Sequence, residues 1–215
     1  MMRLYIFLSF ASLTAAHVNA QSSFQGTIVY DVRYEGDYTV KAFIDLMPEL
    51  STLHIKDQKT RFDQNIAGGG QQSYIVDNTN GATILLMTLM GQTFQVPMDQ
   101  QDINKLQPIH EMSFVHTSQT KEIAGYLCSH AYSVIEGDTI DVFFTTEVKA
   151  PRTLPAFKAI DGLPLEYAVR QDHMKIFYTC ASIVEQTLSD GLFDIASQVK
   201  EIPFETFARA FAVLK

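Results

Sequence analysis

The sequence predicts a mainly β protein: about nine or ten antiparallel strands joined by hairpins, with one C-terminal helix. Three observations point there. Apolar and polar residues alternate with a period of two over much of the chain. Turn chemistry recurs at Gly68-Gly69-Gly70, Asp77-Asn78-Thr79-Asn80-Gly81, Gly91-Gln92, Glu136-Gly137-Asp138 and Gln171-Asp172, where Gly and Asn tolerate positive φ. Helical spacing is convincing only over 203–214, through Phe204, Phe207, Ala208, Phe211 and Leu214.

The first twenty residues read as a secretory leader rather than as part of that fold. Met1-Met2-Arg3 is a basic start, 4–16 is an uncharged apolar run, and Val18-Asn19-Ala20 offers the residues a signal peptidase reads. The run is too short to span a bilayer, which takes about 20 apolar residues. Cleavage after Ala20 leaves 21–215 as a single β-rich envelope domain, in the periplasm or secreted. The chain carries a net charge of −8 and no Lys/Arg cluster. That balance argues against nucleic acid, whose phosphates are held by cations, and against anionic lipid surfaces. No second hydrophobic span follows, so the mature chain is expected to have no integral membrane span.

Along the mature chain, 24–35 reads as a long strand with Ile28, Tyr30, Val32 and Tyr34 on one parity. The stretch 37–50 is ambiguous and stops near Pro48. Residues 53–66 alternate again. Gly68-Gly69-Gly70 lacks the Lys-Ser/Thr of a phosphate loop and reads as a hairpin connection. A short strand over 73–76 follows. The 77–81 turn has neither the third-position ligand nor the twelfth-position Glu of a calcium loop. The run before Gly91 is apolar on both parities, so both of its faces should be covered. Residues 99–106 form a short helix or turn, with Asp99 or Asp102 as cap. Strands over 112–147 turn at Ser118-Gln119-Thr120 and around Gly137. A connector over 150–160 leads to a hairpin of 162–170 with 174–188. A short strand over 192–195 precedes the helix, which either covers an apolar concavity or packs as an ordinary core helix.

The common catalytic signatures are missing. His110 and His116 would lie about 20 Å apart on an extended strand, too far for one metal. No Gly-x-Ser-x-Gly elbow exists, and Glu122, Asp141, Glu147 and Glu166 show no informative spacing. No cofactor is called for, and the chain is expected not to be an enzyme. Cys128 and Cys180 allow one disulfide, or stand as two buried free thiols on separate strands. Met87, Met90, Phe94, Met98, Phe143, Tyr167, Phe177 and Phe211 could line an apolar pocket, since Met adapts to irregular apolar ligands, or simply fill the core.

Lys121-Glu122-Ile123-Ala124-Gly125-Tyr126-Leu127-Cys128 is followed by Phe143-Phe144-Thr145-Thr146-Glu147 and by Gly162-Leu163-Pro164-Leu165-Glu166. That order resembles an exported Gram-negative envelope family of unknown function and, more distantly, the GLPGLI family. The resemblance implies the fold of the LolA/LolB-like lipoprotein carriers, a curved antiparallel sheet or half-barrel around helices with an apolar cavity. Within it, Gly125, Tyr126, Cys128, Gly162, Leu163 and Pro164 serve structure, Gly125 permitting a bend or bulge. The expected function is a non-catalytic periplasmic carrier for a hydrophobic small molecule, lipid or lipoprotein acyl chain. The alternative is a structural or protein-interaction module of the envelope with a filled core.

Overall fold

The computed structural model describes residues 24–36, 44, 47–66, 69–106, 112–135, 137–151, 154, 157–171 and 174–212. The expected leader over 1–20 lies outside them, as do 37–43 and 45–46 of the ambiguous 37–50 stretch. The strands are β1 (Gly26–Gly36), β2 (Leu50–Lys56), β3 (Lys59–Ile66), β4 (Gly70–Asp77), β5 (Ala82–Leu89), β6 (Gln92–Met98), β7 (Val115–Ile123), β8 (Tyr126–Ile135), β9 (Asp138–Thr145), β10 (Leu163–Gln171), β11 (Met174–Glu185) and β12 (Lys200–Glu201). Helix α1 (Gln100–Leu106) follows β6, and α2 (Phe204–Ala212) follows β12.

Among the described residues twelve strands form one open sheet in the order β12-β6-β5-β4-β3-β2-β1-β11-β10-β9-β8-β7. Two meanders, β1–β6 and β7–β11, meet where β1 pairs with β11. Every pairing is antiparallel except β12 with β6. The sheet curls toward one face. Phe62 on β3 and Tyr178 on β11 bring their ring centroids to 6.3 Å. These strands stand three apart, about 14 Å in a flat sheet.

The inner face carries two apolar clusters. One joins Ile28, Tyr30, Leu53 and Ile55 to Val142, Phe157, Ile160, Leu165 and Tyr167. Tyr30 donates its hydroxyl to the carbonyl of Pro164 at 2.9 Å, so the phenol is buried without losing a partner. The other packs Phe204 and Phe207 of α2 onto Leu85, Met87, Val96 and Met98 of β5 and β6. Helix α2 thus covers the inner face of this end of the sheet.

Between β11 and β12 the chain crosses the outer face as a strap. Leu188 and Phe193 bury Ile75 there, with Leu86 and Ile195 beside them. Lys56 and Arg61 donate to the strap carbonyls of Leu188 and Leu192, at 2.9 and 2.8 Å. Leu86 under the strap and Leu85 under α2 account for the two apolar parities of β5.

Four expectations need correction. The 53–66 run is not one strand but the β2–β3 hairpin, folded at Asp57, which takes φ 52°. The turn between β7 and β8 is at Ala124-Gly125, with φ 51° and 84°, and not at 118–120. Gly125 is therefore a hairpin turn residue rather than a bulge, because two successive positive φ values suit the strand twist. The 118–120 stretch lies inside β7 at a register irregularity. Leu192 and Ile195 form no strand; Ser189 accepts a hydrogen bond from the Gly191 amide and starts a 3-10 turn at Asp190–Leu192. The last strand among the described residues is β12, and with the β2–β3 hairpin it raises their strand count to twelve.

The clamp under the strap has a testable acid dependence. Burial alone would raise the Asp63 carboxyl, but hydrogen bonds from His54, Ser73 and Arg61, with the Arg61 charge, hold it below its ordinary 3.8. A lowered carboxyl stabilises the fold above 3.8, and that stability fades as pH falls through the folded value. The urea midpoint of the wild type should therefore drop below about pH 4 more steeply than that of Asp63→Asn. Parallel acid profiles would show that the clamp carries no linkage.

Candidate inner-face binding site

Register settles where the charges of β2–β6 go. Leu53 faces Phe62, Phe62 faces Tyr74, Tyr74 faces Leu85 and Leu85 faces Val96. Directly opposed residues share a face, so these five define the inner one. Ser51, Ile55, Thr60, Gln64, Gln72, Val76, Thr83, Met87, Phe94 and Met98 fall on it by alternation. No charged side chain stands at an inward position of these five strands. His54, Lys56, Lys59, Arg61, Asp63 and Asp77 all fall on the outer face by the same registers.

The middle of that inner face is polar but neutral. Gln72 donates to the Gln64 carbonyl oxygen at 2.5 Å, and Gln64 donates to Ser51 Oγ at 2.7 Å. Gln64 also hydrogen-bonds the Tyr178 phenol, which burial pushes up to about 12. Burial raises Tyr74 as well. Ser51 and Gln64 are buried, whereas Gln72, Tyr74 and Phe62 remain half-buried. An amide relay across three strands, flanked by aromatic rings, therefore reaches the surface between the two apolar clusters.

On the outer face the histidines are satisfied. Thr27 Oγ1 lies 3.0 Å from His54 Nδ1, and His54 Nε2 lies 3.5 Å from Asp63. Thr117 Oγ1 and Asp141 each lie 3.0 Å from opposite nitrogens of His130. Both sets resemble a hydroxyl–imidazole–carboxylate relay. Their recurrence at two separate places, each across adjacent strands, marks a way of pairing both nitrogens of a strand histidine. His116 lies on β7 with its ring edge-on to Phe144 at 5.7 Å, and His110 lies outside the described residues.

The apolar residues singled out from sequence do not gather in one place. Met87 and Met98 are buried under α2, and Phe94 is half-buried beside them on the inner face of β6. Tyr167 is buried in the other cluster, stacked on Tyr178 at 4.8 Å. Phe143 and Phe177 pack against cations, with Lys121 5.1 Å and Arg33 4.1 Å from their ring centroids. Met90 takes φ 52° at the β5–β6 turn and is fully exposed. Phe211 lies on α2, its side chain outside the described residues.

Cys128 and Cys180 are free, buried thiols on β8 and β11, with β9 and β10 between them. Burial pushes Cys128 up to about 11, with Glu147 adding to it, and Cys180 up to about 12. At neutral pH both stay protonated and are poor nucleophiles. Among the described residues no helix is long and apolar enough to cross a membrane.

Ser51, Gln64, Gln72, Tyr74 and Tyr178 escape a search for catalytic signatures. Their signal is the parity of charge. Lys59, Arg61 and Asp63 alternate with Thr60, Phe62 and Gln64. That pattern is visible only once the turn at Asp57 is placed.

Comparison with known proteins gives the ancestry. No curated protein sequence matches the chain. Two solved structures described as PNGF-II, in C2 and P21 space groups, superpose with TM-scores of 0.54 and 0.52 at 16% and 17% sequence identity. Each alignment covers 86% of this chain and 32% of the PNGF-II chain, so the chain spans about a third of the length of those proteins. At that identity the likeness is one of fold. Residues 47–189 match the profile of a family described as "N-glycanase peptide, N-terminal domain". This overturns the resemblance to LolA/LolB-like carriers and to GLPGLI proteins, and with it the warrant for lipid binding. The residues behind that resemblance meet demands any such sheet makes: a tight turn at Gly125, a close approach at Gly162 and a buried Cys128. The chain belongs to the N-glycanase N-terminal domain family.

Proposed function

We propose that this chain is a non-catalytic accessory module, exported from the cytoplasm, that docks on N-glycosylated partners. The observation that carries the reading is the segregation of charge on β2–β6. The inner face offers amides, hydroxyls and aromatic rings without charge, while the cations and carboxylates lie outside. Ligand sites are concave, with a few well-placed polar groups among aromatic walls. The family description names the N-terminal domain of an N-glycanase, and a neutral glycan has the chemistry such a wall accepts. The protonated thiols and the paired histidines sit in structural roles, which fits binding better than turnover. The leader-like pattern over 1–20 supports a place in the periplasm or outside the cell.

The test uses the full chain and an N-glycosylated peptide. Mass spectrometry should find no released glycan after prolonged incubation. Calorimetry should show saturable binding, weakened at least about tenfold for the same peptide without glycan, as expected when a site's polar groups lose their partners. Release of glycan would make the chain an enzyme. Equal affinity for both peptides would remove glycan recognition.

A further inference from the structure

We infer that the relay of Gln64 and Gln72, with Tyr74 and Phe62 beside it, is a subsite for the acetamido sugar of a neutral glycan. The inference rests on the accessory-module reading above and names the residues and the ligand chemistry. Three features point to that class. First, the wall is neutral across five strands in a chain where 19% of residues are charged. A phosphate, sulfate or carboxylate would find no counter-charge among those inward side chains, and burying it there would be costly.

Second, the side chains at the relay are linked in one direction. Gln72 donates to Gln64, and Gln64 donates to Ser51. Each bond fixes the orientation of the next amide, so the half-buried Gln72 is held in place before a ligand arrives. A primary amide carries two donors and an acceptor, the complement of the N–H and C=O of an acetamido group. A held amide spends less conformational entropy on binding than a free one.

Third, rings flank the relay. Tyr74 faces Phe62 across β3 and β4, and both are half-buried. Both share the face of the amides and neither is fully buried, which suits contact with the C–H face of a pyranose, and Tyr74 adds a hydroxyl for a sugar hydroxyl. An acyl chain would offer no partner to the donor and acceptor that Gln72 keeps outside the relay. A peptide strand would need a free sheet edge, whereas β3 and β4 are paired on both sides.

The probe is N,N′-diacetylchitobiose, titrated into the full chain by calorimetry, alone and in competition with the N-glycosylated peptide. The wild type should bind it saturably and release the peptide competitively. Gln72→Leu, close in volume, should weaken binding at least about tenfold. Tyr74→Phe, which keeps the ring, should weaken it only a few-fold, about the loss of one neutral hydrogen bond. Val134→Thr, on the exposed part of β8, should leave affinity unchanged. Thermal unfolding checks that each variant is folded. Chitobiose binding that survives Gln72→Leu in a folded protein overturns the subsite. Glycopeptide binding without chitobiose binding or competition also overturns it, while leaving the module reading intact. Loss of both in the wild type defeats the two together.

Discussion

Gly162→Ala should be among the most damaging single substitutions in the chain. A Cβ built on Gly162 would lie 2.6 Å from the carbonyl oxygen of Thr145 and 2.7 Å from Phe144 Cδ2. The first is backbone, held in place by the pairing of Leu163 with Thr145. It cannot rotate aside as the end of a flexible side chain could. Relief requires β9 and β10 to separate at the edge of the apolar cluster that holds Leu163, Leu165 and Phe144. Overpacking of this kind costs about 1–3 kcal/mol and occasionally more. The backbone clash places this site at the upper end. Against a typical domain stability of about 5–15 kcal/mol, the urea midpoint should fall clearly while the glycan site across the sheet keeps its affinity in protein that remains folded. An unchanged midpoint would mean that the strands yield freely, and the close-approach account of this glycine would be wrong.

Phe204→Ala should release α2. Phe204 is buried against β5 and β6, and removing such a ring costs about 3–5 kcal/mol. The helix spans nine residues, Phe204–Ala212, too few to persist without packing. Its loss would expose Leu85, Met87, Val96 and Met98 to water. Lys105 reaches Phe204 from α1, 5.3 Å from the ring centroid, and pairs with Glu205 at 2.8 Å. That contact is exposed and screened by water, so Lys105→Ala should change stability little. Hydrogen exchange should show faster opening of β5 and β6 in Phe204→Ala and little change in Lys105→Ala. Equal protection in all three proteins would mean that α2 does not cover this end of the sheet.

Much of the fold can be read from local pattern. The alternation of β1, the hairpins at Gly81, Gly91 and Gly137, and the β10–β11 hairpin follow from period-two spacing and turn chemistry. The Asp99 cap is a local signal too: its carboxylate accepts from the Asp102 amide at 2.9 Å. The errors come where tertiary context decides. Asp57-Gln58 carries no glycine, so the β2–β3 turn is hidden inside a run that still alternates. The turn also reverses parity. Inward positions are odd on β2, through Leu53 and Ile55, and even on β3, through Thr60, Phe62 and Gln64. Taken as one strand, the run puts Arg61 and Asp63 with Leu53 and Ile55, and the neutral wall disappears. Likewise Leu192 and Ile195 look like strand residues by composition. They pack, half-buried, on the cluster of Ile75, Leu188 and Phe193 from a strap whose path depends on Arg61 and Lys56, far off in sequence. The methionines and phenylalanines singled out from sequence are divided among α2 packing, ring–cation contacts and an exposed turn, a division set by tertiary context.

The measurement that bears most directly on the account is a two-dimensional NMR titration of the full chain with N,N′-diacetylchitobiose, following side-chain amide and aromatic signals. The shifts should concentrate on Gln64, Gln72, Tyr74 and Phe62, with the outward-facing His54, Arg61 and Asp63 undisturbed. Shifts confined to the outer face, or none at saturating sugar, would contradict a neutral inner wall built to hold a glycan.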